Sequence, residues 1–349
     1  MQTVKSAYDQ AKQSWISLLT YIVAGLAIIA TGGGILTAFG QTHRSFLTLS
    51  GETVQIQGGG LYGHESVSMA AQGVGMDLVT LLVATPLLLL ANHLAAKGSL
   101  RFRLLRIGAF WYFTYSYLLI LFGVTYNPLF LVYVVLLSTS LLGLILSVLS
   151  VDVAALPAHV SPRLARRMVA WIVIGVSSMF ALLWLSRIVP ALVSGKPPVG
   201  LESYTTLSVQ GADLAIVIPM SILVGTLLLR RQPVGYLFAF PVVVFLATMG
   251  LALVGMVIAM AAMGTAVGAA DFVPAGISAT LGIGLTLHLV LSIRTDAPAF
   301  WFSQAGQRRQ PRRAHSSHQQ VRTEGPSVTE GEDRWPLAGV ALPARLRTK

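Results

Sequence analysis

Long apolar runs bounded by short polar or basic stretches recur eight times along the chain, over residues 15–39, 74–95, 107–124, 129–149, 168–189, 212–229, 234–260 and 273–293. About 20 consecutive apolar residues cross a bilayer as an α-helix, so each run predicts one span. Residues 40–72 form the longest polar connection, in which FLTLS and TVQIQ alternate apolar and polar positions around Gly51 and Glu52. That alternation predicts a short β-hairpin. Gly58-Gly59-Gly60 and LYGHES follow, placing Tyr62, His64 and Glu65 beside the entrance of the second span as a solvated loop or a rim near Asp77. Residues 1–14 are a polar leader to the first span, residues 15–294 a transmembrane bundle, and residues 295–349 a tail of Arg, Gln, Ser, Glu, Gly and Pro. Such a composition cannot bury a core, and the tail is expected to be disordered.

Composition agrees with the pattern. Hydrophobic residues make up 54% and charged residues 11% of 349 positions, mean hydropathy is +0.72, and soluble domains carry about 25% charged residues. The expected fold is therefore all-α, a polytopic transmembrane helix bundle of about eight spans. A membrane β-barrel would need alternating segments of about ten residues, which the apolar bulk lacks. With no cysteine, disulfides, thiolate metal sites and cysteine nucleophiles are excluded. The net charge of +11 suggests nucleic acid only until its distribution is considered. Four Lys or Arg follow the second run (Lys97, Arg101, Arg103, Arg106), three the fourth (Arg163, Arg166, Arg167), two the sixth (Arg230, Arg231), and ten lie from Arg294 onward. The alternate connections hold only Arg44 and Lys196, with Arg187 near the end of the fifth run. By the positive-inside rule both termini of this multi-pass protein are expected to be cytoplasmic. No nucleic-acid partner is expected, whereas Arg308, Arg309, Arg312 and Arg313 are placed to meet anionic lipid.

This orientation puts Glu52, Glu65, Asp77, Glu202, Asp213 and Asp271 on the outer face or at the outer ends of spans. Asp77 and Asp213 open the second and sixth runs inside related stretches, QGVGMDLVTLLVATPLLLL and VQGADLAIVIPMSILVGTLLL, each with an in-helix proline. The echo predicts a parallel repeat of spans one to four as five to eight, although Asp and Pro are nine residues apart in one copy and six in the other. Either each aspartate caps its helix or the two face a shared cavity. In the second reading Tyr126 and Asn127, expected at the same depth, complete a substrate site with Asp77 and Asp213. Tyr115 and Tyr117 lie deeper in the third run, where a phenol requires a partner. Met249, Met256, Met260 and Met263 share one helical face and read as packing before a soft-metal path. His93 and His288 read as interfacial or hydrogen-bonded before axial haem ligands. No cofactor, metal or catalytic residue is expected.

In order along the chain, GLYGHES, GMDLVTLLVATPLLLL, KGSL, the aromatic run of the third span and YNPLFLVY resemble a family of bacterial multi-spanning membrane proteins without an assigned activity. The resemblance covers residues 55–155 and extends to GADLAIVIP. It implies a bacterial membrane location and carries no site residues. On the residues alone, the expected function is a permease for a small solute or ion with an outward-facing acidic site. A membrane enzyme acting on lipid or isoprenoid, or a non-catalytic subunit of a membrane complex, is the alternative.

Overall fold

The computed structural model describes residues 2–48 and 51–294; the tail from residue 295, with its expected disorder and lipid contact, lies outside the described residues. Eight helices are long and apolar enough to cross a membrane. They are span 1 (Gln10–Leu36), span 2 (Val67–Ala96), span 3 (Leu100–Gly123), span 4 (Phe130–Leu149), span 5 (Arg166–Ser194), span 6 (Ser208–Leu229), span 7 (Pro233–Ala262) and span 8 (Ala269–Ser292). The protein is an all-α polytopic bundle. Between spans 1 and 2, strands β1 (Arg44–Leu47) and β2 (Thr53–Ile56) pair antiparallel, Arg44 opposite Ile56 and Leu47 opposite Thr53. This marks one end of the bundle as the hairpin end; the other carries the arginine-rich connections.

Spans 2 and 3 each begin about two turns earlier than hydropathy predicts. Span 2 starts at Val67 because Ser66 adopts an extended backbone and its Oγ accepts the Met69 N–H at 3.1 Å, a side-chain N-cap. Asp77 therefore lies about 15 Å into the helix, which removes the capping role considered for it. Span 3 starts at Leu100 and draws Arg101, Arg103 and Arg106 out of the expected loop. Arg106 is fully buried, its guanidinium donating to Asn92 Oδ1 (2.9 Å) and Gln13 Oε1 (3.1 Å).

Spans 2 and 6 share an irregularity that the echo in sequence did not reveal. Thr80–Ala84 and Asp213–Val217 are π-helical, and each segment is followed by one residue and then a proline, Pro86 or Pro219. Proline lacks the N–H for the i−4 bond and its ring crowds that carbonyl, and a wide turn relieves the clash. Aligned on the prolines, Asp213 corresponds to Thr80 and Gln210 to Asp77, which accounts for the unequal spacing. The two halves also share their neighbour relations: 1 with 2, 2 with 3, 3 with 4 and 1 with 4 are matched by 5 with 6, 6 with 7, 7 with 8 and 5 with 8.

Lipid tails are as apolar as leucine, so packing of small residues and shape hold such a bundle together more than escape from water does. Between spans 2 and 7 the backbones touch: a Cβ on Gly75 would lie 2.4 Å from the carbonyl of Gly255. One buried cluster, with Ile16, Leu88, Phe110, Phe113, Tyr117, Tyr133 and Leu136, fills spans 1 to 4. A second, with Leu104, Val169, Val224, Val243 and Leu285, joins spans 3, 5, 6, 7 and 8.

Candidate functional site: a chamber at the hairpin end

The stretch from Gly58 to Ser66 organises the hairpin end. Gly58 and Gly60 take positive φ (86° and 74°), and a Cβ at either would lie about 2 Å from the backbone oxygen of Thr42 or Thr37. Only glycine permits both the turn and the approach. Tyr62 then enters the bundle, with Gly34 of span 1 and Gly73 of span 2 leaving room for its ring. Its hydroxyl donates to Asp77 Oδ2 at 2.7 Å. Burial, and then the Asp77 carboxylate, hold the Tyr62 phenol well above its usual range, so it remains a donor.

Glu65, three residues on, is 1% exposed and is not the solvated loop residue that its neighbours in sequence suggest. One carboxylate oxygen accepts the Thr125 N–H (2.6 Å) and the Thr125 hydroxyl. The other accepts from the Tyr204 hydroxyl, whose pKa is raised by burial and by that carboxylate. Ser66 donates to Glu202, a residue with left-handed backbone (φ 51°). Glu65 and Ser66 thus fasten the 195–207 connection across the top of the bundle.

Below this connection is a chamber of about 400 Å³ walled by spans 2, 3, 5, 6, 7 and 8. Along span 7 it runs from Met260 to Val242, roughly 27 Å at the rise of an α-helix. Its larger polar side chains gather towards the mouth, among them Gln72, Tyr115, Trp184, Gln210 and Asp213, while its floor is formed by Val173, Ile218, Val242 and Leu246 with the small hydroxyls of Ser177 and Ser221. Met69 and Met76 of span 2 and Met249, Met256 and Met260 of span 7 line it; Met263 caps the end of span 7. The methionine stripe read as packing is therefore largely chamber wall, a flexible and polarizable surface.

Asp213 is the acid most involved in this wall. Its Oδ1 accepts from the Tyr115 hydroxyl and its Oδ2 from Trp184 Nε1 at 2.9 Å. The Tyr115 ring is fixed edge-on against Phe245, 4.9 Å between centroids. Both partners are neutral donors, so an ionised Asp213 keeps its charge for a ligand. Glu65, Glu202, Asp213 and Asp271 line the chamber against one base, Arg187, whose exposed guanidinium stands over the Trp184 ring at 5.5 Å. The balance at the mouth is negative.

Of the four residues expected to form the substrate site, the structure brings Asp213 to this wall. Asp77 lies beside it, 4% exposed, turned to Tyr62 and to Gly34, where a Cβ would sit 1.9 Å from Asp77 Oδ2. Tyr126 is 76% exposed and packs on Phe130. Asn127 is buried and its Oδ1 accepts the Leu129 N–H (3.0 Å), setting up the start of span 4. His93 is exposed and His288 accepts the Ala165 N–H at 3.1 Å. Sequence reasoning missed Glu65, Trp184, Glu202 and Tyr204 as parts of one assembly; for Tyr115 the buried phenol was the signal. A second groove, of about 650 Å³, lies between the hairpin and the 195–207 connection and shares Gly123, Val124 and Tyr204 with the chamber. Comparisons with protein-family models, with curated proteins and with solved structures find no match to this chain.

Proposed function

We propose that this protein is a membrane permease whose solute is a small amphipathic cation, taken up in the chamber with its apolar body against the methionine and valine walls and its charge at Asp213. The observation that carries this reading is Asp213 itself, a carboxylate oriented by two neutral donors in the wall of a largely apolar cavity. An apolar enclosure with a few placed polar groups is the usual form of a small-molecule site. A cation meeting a carboxylate there is attracted more strongly than in water. The basic connections support a cytoplasmic placement of the end opposite the hairpin, so that the chamber opens outward. The resemblance of residues 55–155 supports a bacterial cell membrane.

Tetraphenylphosphonium is a suitable probe, with isothermal titration of the purified full chain in nanodiscs as the measurement. We expect Asp213→Asn to weaken binding about tenfold or more, the 1.4 kcal/mol scale of a lost charge-assisted contact. Unchanged affinity in this variant would remove Asp213 from the site. The depth of the apolar floor favours one second reading, an enzyme or carrier that holds a lipid by its hydrocarbon tail. Mass spectrometry of the purified protein separates the two, because a lipid co-purifies from native membranes and is displaced by filling the floor with Ser221→Leu.

A further inference from the structure

Asp77 is a buried carboxyl group that does not line the chamber. It lies in the interior of span 2, and its neighbours come from every element around it. Span 1 meets it with Gly34, the 57–66 connection with Tyr62 and, farther out, Glu65, span 3 with Tyr112 and Tyr117, and span 4 with Tyr133. Span 7 touches span 2 at Gly75 through the backbone of Gly255. Among the described residues, no basic side chain is found beside Asp77. One turn further along span 2, Thr80 Oγ1 and the Tyr112 hydroxyl share a hydrogen bond of 2.7 Å. The Tyr133 hydroxyl is buried, with the Asn127 side chain beside it. Tyr62 is the one of these phenols that both binds Asp77 and lines the chamber.

We propose that Asp77 is a proton-binding site, distinct from the chamber and coupled to it through Tyr62. An ionised Asp77 accepts a charge-assisted hydrogen bond that fixes the Tyr62 ring between Gly34 and Gly73, as part of the chamber wall. When Asp77 takes up a proton from water at the hairpin end, the bond becomes neutral to neutral, roughly half as strong. The ring is then free to leave its slot, and the wall that fits the solute is lost. Solute binding therefore favours the ionised form and releases one proton to water, and by linkage the proton weakens solute binding to the same degree. The protein exchanges a proton for an amphipathic cation. This step rests on the chamber reading above, whereas the proton site does not need it.

Two measurements on the full chain keep the site and the coupling apart. The first is the infrared difference spectrum between acid and neutral pH. It is expected to show a carboxyl band absent from Asp77→Asn and a tyrosine ring band absent from Tyr62→Phe. A spectrum with the same carboxyl band in Asp77→Asn overturns the proton site. The second is the pH dependence of tetraphenylphosphonium affinity. The Kd is expected to rise by up to about tenfold for each unit of falling pH for each proton exchanged, and in both variants to lose the part that comes from Asp77 and keep the part that comes from protonation of Asp213 itself. If the probe binds with the same pH dependence in Asp77→Asn as in the wild type, the coupling is wrong. If the carboxyl band is present and the probe fails to bind at all, the cation chamber is wrong and the proton site stands. Should Asp77→Asn not fold, Tyr62→Phe supplies the test, since it keeps the carboxyl group and must still remove the coupling.

Discussion

Spans 2 and 6 carry the same device, a π-helical turn that accommodates a proline, yet they face opposite fates. Span 2 is pressed against span 7 until Gly75 meets the backbone of Gly255. Span 6 meets span 3 near Gly123 and Ser208, is bridged to it by Asp213 and Tyr115, and shares the chamber with it. If the halves of the bundle are related as 1 to 4 and 5 to 8, these two interfaces correspond. One is closed by glycine and the other is held apart around a cavity. A repeated architecture can thus build a binding site by leaving one of its two equivalent seams unfilled, at the cost of a single buried packing surface.

The comparison is broken most severely at the closed seam. Gly75→Leu places a branched side chain where no Cβ fits, and overpacking of this kind costs about 1–3 kcal/mol or more. We expect loss of the folded protein, read as aggregation in detergent size-exclusion chromatography. Ser177→Leu, a comparable enlargement on the chamber wall, should leave the thermal midpoint nearly unchanged while removing probe binding. Equal destabilisation by the two would show that both seams are packed alike.

Next in size are the acids. Tyr62→Phe removes the phenol partner that Asp77 has in the bundle interior, and an unsatisfied buried polar group costs about 1–3 kcal/mol. Tyr115→Phe leaves Asp213 with Trp184 and a half-buried setting, so a smaller loss is expected in the same thermal assay. Tyr204→Phe comes third, untying the 195–207 connection from Glu65. Its signature is faster protease cleavage within that segment, with the spans intact.

The smallest effect is at alkaline pH. Because burial and adjacent carboxylates raise both Tyr62 and Tyr204, the stabilisation from each hydroxyl is complete below the ordinary phenol value of about 10. It is lost only as pH climbs through the higher folded-state value. The absorbance difference between the wild type and Tyr62→Phe or Tyr204→Phe should therefore show no tyrosinate signal at pH 9.5.

Hydropathy located all eight spans, because the apolar runs are set by bilayer thickness and need no knowledge of partners. The hairpin was legible in the same way, from alternation around Gly51 and Glu52. Helix starts were less so: Ser66 acts through one hydroxyl, and Arg101, Arg103 and Arg106 enter a helix whose polar end looks like a loop in a window average. Glu65 was read as a solvated residue because its neighbours are polar, whereas its partners Thr125 and Tyr204 are far along the chain. The chamber was illegible for a related reason. A methionine face reads alike whether it meets another helix or an open volume, and nothing local in span 7 records that span 6 stands away from span 3. The two aspartates looked equivalent because the letters around them match. The prolines, which dictate backbone geometry, are the better register, and they set Asp213 one turn away from the counterpart of Asp77.

Arg106 has a consequence for how the chain is made. A guanidinium in the middle of a spanning helix opposes insertion by about 2.5–3.5 kcal/mol, less towards its ends, and here the acceptors of its hydrogen bonds are Gln13 of span 1 and Asn92 of span 2. Span 3 is thus a poor membrane segment by itself and a satisfactory one beside its predecessors. During synthesis the first three helices would leave the translocation channel as a group, with the third waiting at its exit until the other two are assembled. A chain shortened to begin at span 3 should consequently stall there or be degraded, and Arg106→Leu should release it.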